Sequence, residues 1–287
     1  MAEPSRFLFC HSGGMSDDSR EIYEVFDLVS EEYDQVGVAF FQPIAEALVK
    51  AVAPTPGDCA LDVGCGRGAV TLRLAELVGP SGRVTSTDLA EGMVQRLRAD
   101  IDARNVTNVT VEIGDAQRPD FAAESFDIVT GGLVVFMLAD PEEAVATYFR
   151  LLASGGSLGF TTFGAQDEVF EAAMKAIADF LPAQEGETGP MEPGPVSTIE
   201  GIADVLGIAG FTDIRTNEVT VVSNFEDLDH WERWLHSHGA RVLIEALPAD
   251  RRRAAIEAGR EVVSKANGGD GTFRFTTVVR VSTARRP

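Results

Sequence analysis

Between residues 61 and 68 the chain reads Leu61-Asp62-Val63-Gly64-Cys65-Gly66-Arg67-Gly68, a short apolar run that gives way to glycine at every second position. No other stretch restricts the fold as much. An apolar run bounded in this way reads as a buried strand, and Ala69–Val78 after it has helical spacing. Glycines at the junction permit tight turns and let a ligand touch the main chain. In an open α/β sheet the crevice beyond the carboxyl ends of the strands is where ligands bind. Taken alone, the motif also fits an ordinary strand-to-helix connection.

The flanking pattern supplies the context. Strands are predicted at Ala60–Val63, Arg83–Asp88, Val109–Ile113, Phe126–Thr130 and Ser157–Phe163, with helices at Ala69–Val78, Gly92–Ala103 and Pro141–Ala153 between them. This alternation predicts a parallel sheet with crossover helices. Before it, apolar residues recur at helical spacing from Glu21 to Ala53, predicting two or three helices, and Pro54–Asp58 breaks the chain. Beyond it come helices at Gln166–Leu181 and Ile199–Ala209, a strand at Ile214–Val222, helices at Phe225–Leu247 and Asp250–Ala266, and a last strand at Thr272–Ser282. The expected sheet is therefore mixed. Ala183–Val196, rich in Gly, Pro and Glu, is long enough to serve as a lid. We divide the chain into an N-terminal extension with lid helices (1–57), a core (58–165) and a C-terminal part of the core carrying the lid loop and an inserted helical pair (166–287).

Two further strand ends carry suitable chemistry. Asp88 closes the second strand, where a carboxylate accepts both hydrogen bonds of a ribose diol. Asp115, in Gly114-Asp115-Ala116, closes the third, where a carboxylate can receive an exocyclic amine. With DVGCGRGAVT (62–71), TDLAEGM (87–93), GDA (114–116), FDIVTGGLVVFML (126–138) and RLLASGGSL (150–158) in that order, the sequence resembles the class I S-adenosylmethionine (SAM)-dependent methyltransferases. The resemblance implies an α/β, Rossmann-like fold with a mostly parallel seven-stranded sheet and helical cap elements, and SAM as cofactor. It implies that Gly64, Gly66 and Gly68 frame the cofactor's amino-acid portion and that Asp62 organises the glycine loop or the methionine ammonium. It further implies that Asp88 binds the ribose, Leu89 or Met93 flanks the adenine, Asp115 and Ala116 meet its edge, and Gly131 and Gly132 lie near the sulfonium. The segment from His230-Trp231 to Leu247-Pro248 is similar, over a shorter match, to bacterial small-molecule methyltransferases. Where a dehydrogenase of this fold would carry Tyr-x-x-x-Lys, the chain has Tyr148 and Leu152.

Charge narrows the acceptor. A formal net charge of −21 opposes binding to nucleic acid or anionic lipid, which require clustered positive charge. No apolar run approaches the roughly 20 residues of a membrane span. Phe7–Cys10 is too short for a signal-peptide core, so the cytoplasm is the expected compartment. Three cysteines form neither a disulfide framework nor a metal pattern, and no metal is expected. Self-association into a homodimer stays open.

Displacement at a sulfonium needs alignment and water exclusion, and a base only if the acceptor must lose a proton. His230 and His238, on one helix with Trp231 and Trp234, are the candidate bases, while His11 falls in a loose Ser/Gly/Asp-rich extension. A core-facing aromatic stripe is the simpler reading of that spacing. The run Val134–Leu138 predicts an apolar acceptor pocket, to which we assign Tyr33, Phe40, Gly132, Phe136 and Trp231. The expected function is methyl transfer to a small apolar molecule such as a secondary metabolite. The alternative is a non-methylating, pericyclic type of cyclisation of a polyketide-like substrate, with SAM as a structural ligand.

Overall fold

The computed structural model describes residues 18–182, 194–269 and 271–287. His11 and residues 183–193 of the expected lid loop lie outside them. Two helices, α1 (Asp18–Val29) and α2 (Phe41–Val52), precede the sheet. The chain then runs β1 (Cys59–Val63), α3 (Ala69–Val78), β2 (Arg83–Asp88), α4 (Glu91–Arg104), β3 (Val109–Ile113), β4 (Phe126–Gly131), α5 (Pro141–Leu151) and β5 (Leu152–Gln166). It continues through α6 (Glu168–Ala178), α7 (Ile199–Ile208), β6 (Thr212–Phe225), α8 (Leu228–His236), α9 (Arg241–Ala246), α10 (Arg252–Asn267) and β7 (Phe273–Arg285).

The strands form one seven-stranded sheet in the order β3-β2-β1-β4-β5-β7-β6. Strands β1 to β5 are parallel, and β7 runs antiparallel between β5 and β6. Ala60–Val63 of β1 are all buried, the pattern of a strand covered on both faces. The strand order reverses at β1 and β4, so the glycine loop after β1 opens at the topological switch point. Helices α2 and α3 pack on one face of the sheet through Leu48, Val52, Leu74 and Val78. Helices α5 and α7 cover the other through Tyr148, Leu151, Ile202 and Leu206. A third cluster joins Phe40 and Ile44 to α6, α8, α9, α10 and the far ends of β6 and β7, giving the cap a core of its own. Among the described residues no helix is long and apolar enough to cross a membrane.

Beyond small shifts at the ends of β6 and β7, three elements differ from expectation, each for a local reason. Strand β5 is longer at both ends than Ser157–Phe163, because β7 pairs along it as far as Gln166 opposite Thr277. The helix beyond it starts later than Gln166, after Asp167, whose carboxylate accepts from the Val169 and Phe170 amides as an N-cap. The single helix expected at Phe225–Leu247 is two, α8 and α9. At the break the Trp234 carbonyl accepts the Ser237 amide at 3.1 Å and also the Ser237 hydroxyl and the His238 ring, at 2.9 and 2.5 Å, the ring standing where a continuing helix would place the His238 amide.

Candidate active site

The chain folds its glycine loop back on the second strand. Asp88 accepts the Gly66 amide on one carboxylate oxygen at 2.8 Å and the Ala90 amide on the other at 2.9 Å. Each oxygen keeps a lone pair for a further donor. Burial, then the charge of Asp27, pushes the Asp88 carboxyl above its ordinary range, against the pull of those two amides. Gly66 has φ +51°, and a Cβ there would meet nothing closer than Tyr33 Cε1 at 3.7 Å. The backbone is thus bare toward an open space, as a ligand lying on the main chain requires.

The other two glycines are held by packing. At Gly64, φ is +62° and a Cβ would fall 2.6 Å from Val134 Cγ2, while at Gly68 (φ +84°) it would fall 2.4 Å from Leu97 Cδ1. Gly64 still lines the cavity, whereas Gly68 lies at the start of α3, outside it. Asp62 is buried below the loop, accepting the Thr71 hydroxyl at 2.6 Å and the Thr130 hydroxyl at 2.9 Å. Desolvation raises its pKa to about 6 despite those bonds. It does not line the cavity; it braces β1 against α3 and β4.

Around the outer half of the crevice stand Leu89, Met93, Asp115 and Ala116. Met93 is fully buried and Leu89 half-exposed. Asp115 accepts the Gln117 amide at 2.8 Å, and the buried Tyr148 hydroxyl donates to the Ala116 carbonyl at 2.6 Å. These bonds fix the third strand end as an edge with one carboxylate. The residues fit the implied cofactor: an open glycine backbone, a carboxylate at the ribose position and an apolar wall beside a second carboxylate.

The crevice is continuous with a second, aromatic compartment, the two forming one cavity of about 300 Å³. Gly132 and Phe136 line it from the strand-four side, while Tyr33 and Phe40 come from the segments around α2. Gly131 does not reach the cavity; its neighbour Gly132 does. Tyr33 stacks on Phe41 with ring centroids 4.6 Å apart, and burial followed by Asp88 keeps its phenol protonated. Phe40 meets Trp234 edge-on at 5.7 Å, and Trp234 lies 4.1 Å from the His238 ring.

Of the two candidate histidines only His238 faces this compartment. Its Nδ1 is engaged by the Trp234 carbonyl, so that nitrogen carries the proton and Nε2 keeps a lone pair with no partner among the described residues. Desolvation lowers its pKa to about 4, so the ring is neutral at physiological pH. His230 is a correction. Its Nδ1 accepts the Glu226 amide at 3.3 Å and its Nε2 meets the Val36 carbonyl at 2.8 Å, so both nitrogens are spent on structure away from the cavity. Trp231 is a second correction. It is fully buried in the cap core beside Gly259 of α10, and Trp234, three residues on, supplies the wall instead. Sequence reasoning missed Phe163, Phe170 and Phe275, which also line the compartment. Their signal was the alternation at the ends of long strands and the apolar face of α6.

A Rossmann-like sheet whose switch-point loop presents bare glycine backbone to an adjacent strand-end carboxylate defines a class I, SAM-binding fold. Comparison with known proteins gives the family. Residues 60–156 match the family model described as a methyltransferase domain. The chain is 35% identical over 263 residues to nocamycin O-methyltransferase of Saccharothrix syringae, covering 88% of this chain and 94% of that one. It is 39% identical over 150 residues to the aklanonic acid methyltransferase DauC of Streptomyces sp. (strain C5), covering 52% and 68% of the two chains. The protein belongs to the SAM-dependent methyltransferases. Among solved structures, YcgJ from Bacillus subtilis shares the fold with a TM-score of 0.57, 18% identity and coverage of 85% and 99%. The [4+2]-cyclase SpnF shares it at 0.54, 19% identity and coverage of 86% and 80%.

Proposed function

We propose that the enzyme methylates an oxygen of a small, largely apolar secondary metabolite. In this reading Gly64, Gly66, Asp88, Leu89, Met93, Asp115 and Ala116 surround the cofactor, while Asp62, Gly68 and Gly131 shape the loops from behind. Tyr33, Phe40, Gly132, Phe136 and Trp234 hold the acceptor. The observation that carries it is the continuity of the glycine crevice with an aromatic compartment that contains one free imidazole lone pair. The two relatives named for nocamycin and aklanonic acid support an acceptor of this class.

When bound, SAM supplies the activated methyl group. The aromatic walls orient the acceptor and exclude water. His238 Nε2 accepts the hydrogen bond of the acceptor hydroxyl and takes its proton as the oxygen is alkylated. An oxygen undergoing alkylation is far more acidic than imidazolium, so a base of pKa about 4 suffices at that moment.

The test is formation of S-adenosylhomocysteine with aromatic polyketide acceptors. His238→Phe should lower the rate roughly 10²- to 10⁴-fold, as loss of a general base does, with unchanged SAM affinity. The scarcity of polar groups in the compartment also suits ring closure with SAM retained. Turnover of the small molecule without S-adenosylhomocysteine would select that reading, and a near-normal rate in His238→Phe would remove the histidine from the chemistry.

A further inference from the structure

Strands β5, β7 and β6 run well past the crevice, and the face they turn toward the cap is not wholly apolar. Opposite Gly131 of β4 stands Phe160 of β5, and Gln166 is six residues further along that strand, roughly 15–20 Å away at strand spacing. Gln166 pairs with Thr277 of β7, and two residues along that strand Phe275 pairs with Ser223 of β6. Gln166, Thr277 and Ser223 all line the cavity, as a polar row among Phe163, Phe170 and Phe275.

The hydrogen bonds in this row leave specific atoms over. Thr277 donates its hydroxyl to Gln166 Oε1 at 3.1 Å. That bond fixes the orientation of the amide and leaves its NH₂ with no partner among the described residues. Ser223 lines the cavity, and its hydroxyl likewise has no hydrogen-bond partner among the described residues. Polar groups that open onto a cavity without a protein partner mark a place where a ligand atom can complete the bond. Both groups can donate, and neither carries charge.

We infer that Gln166 and Ser223 recognise a hydrogen-bond-accepting oxygen, a carbonyl or quinone oxygen, at the end of the acceptor remote from the methylated atom. The acceptor is thereby an elongated, conjugated-ring molecule. Its flat body lies between aromatic walls, one end reaches Gly132 and His238, and the far carbonyl sits on the polar row. Donors placed this far from the transferred methyl set affinity and selection rather than the chemical step. The inference rests on reading the aromatic compartment as the acceptor site.

Two flat probes of equal outline, 9-fluorenone and fluorene, differ by the one carbonyl, and their binding quenches tryptophan fluorescence through the wall residue Trp234. The expected result is binding of fluorenone about tenfold tighter than fluorene. In Gln166→Met/Ser223→Ala that preference should collapse to within about twofold, with fluorene affinity and calorimetric SAM affinity unchanged. Ser223→Ala alone should remove part of it, should the double variant fold poorly. Equal wild-type affinities, failure of both probes to bind, a preference that survives in the double variant, or one undiminished in Ser223→Ala would overturn the inference. If SAM binds and fluorenone is not preferred, the polar row fails and the methyltransferase reading stands; if SAM does not bind, that reading fails first.

Discussion

Replacing Asp62 by asparagine removes a charge that the fold holds at a loss. The carboxyl is fully buried, and its two hydroxyl donors offset only part of the desolvation, leaving a pKa of about 6 against an ordinary 3.8. At 1.36 kcal/mol per unit, ionising Asp62 costs the native state about 3 kcal/mol. The sign follows from the raised value: the unfolded chain releases its proton first as pH rises. The contribution to stability is therefore fully present below the ordinary pKa, is lost as pH climbs to about 6, and is constant above. An asparagine side chain keeps the shape and an oxygen for one hydroxyl, while the hydroxyl of Thr71, also 2.9 Å from that of Ser86, can reorient. Urea unfolding of the ligand-free protein should then find Asp62→Asn more stable at about pH 7.5 by about 1–3 kcal/mol. The advantage should shrink by about 1–2 kcal/mol at about pH 5, where wild-type Asp62 is largely protonated. Taking the difference between variant and wild type cancels the other carboxylates. A variant less stable than wild type at neutral pH, or a difference independent of pH, would refute the reasoning and make Asp62 a net stabilising anion.

Asp88→Ala should weaken SAM binding by about 1.5–3 kcal/mol in calorimetric titration, since it removes hydrogen bonds to a charged group; an affinity within about twofold of wild type would exclude Asp88 from the site. Gly64→Ala and Gly66→Val should part company: the first lowers the melting temperature because its Cβ strikes Val134, while the second leaves a folded chain that does not bind SAM. Circular dichroism with titration decides, and normal binding by Gly66→Val would place the ligand elsewhere. For His238, the profile of kcat/KM against pH reports the free enzyme, so its acid limb should lie near 4. A limb near 6.5 would mean that the ring is solvated or that another group titrates.

The core was legible because its signals are local. Strand ends from Val63 to Asp115 combine periodicity with chemistry that is readable within a few residues, and the glycine loop joins them at the switch point. What the loop does was less legible. Only Gly66 is open to a ligand without obstruction, whereas Gly64 and Gly68 are pinned by Val134 and Leu97, residues 70 and 29 positions away. The acceptor compartment is assembled from α2, α6, the break after α8 and the distal ends of β5–β7, so no single window contains it. Helical spacing placed His230, Trp234 and His238 on one face, but α8 ends at His236. His238 enters the cavity from the break by bonding the very carbonyl a continuing helix would have used. The helical spacing set Trp234, not Trp231, beside His238, and Trp231 packs instead against Gly259 in the cap core.

Arg67 belongs to the glycine loop, yet its guanidinium reaches the Ser30 and Glu31 carbonyls just past α1 at 3.3 and 3.1 Å and pairs with Asp100 at 2.8 Å. On the same helix, Asp27 accepts the Gly92 amide at 2.6 Å, tying α1 to the start of α4. Tyr23 and Phe26 of that helix form part of the cavity wall. The glycine loop is thereby tied by one side chain to the end of the helix that forms part of the cavity wall. Arg67 therefore bears on the glycine loop and on one wall of the cavity at once.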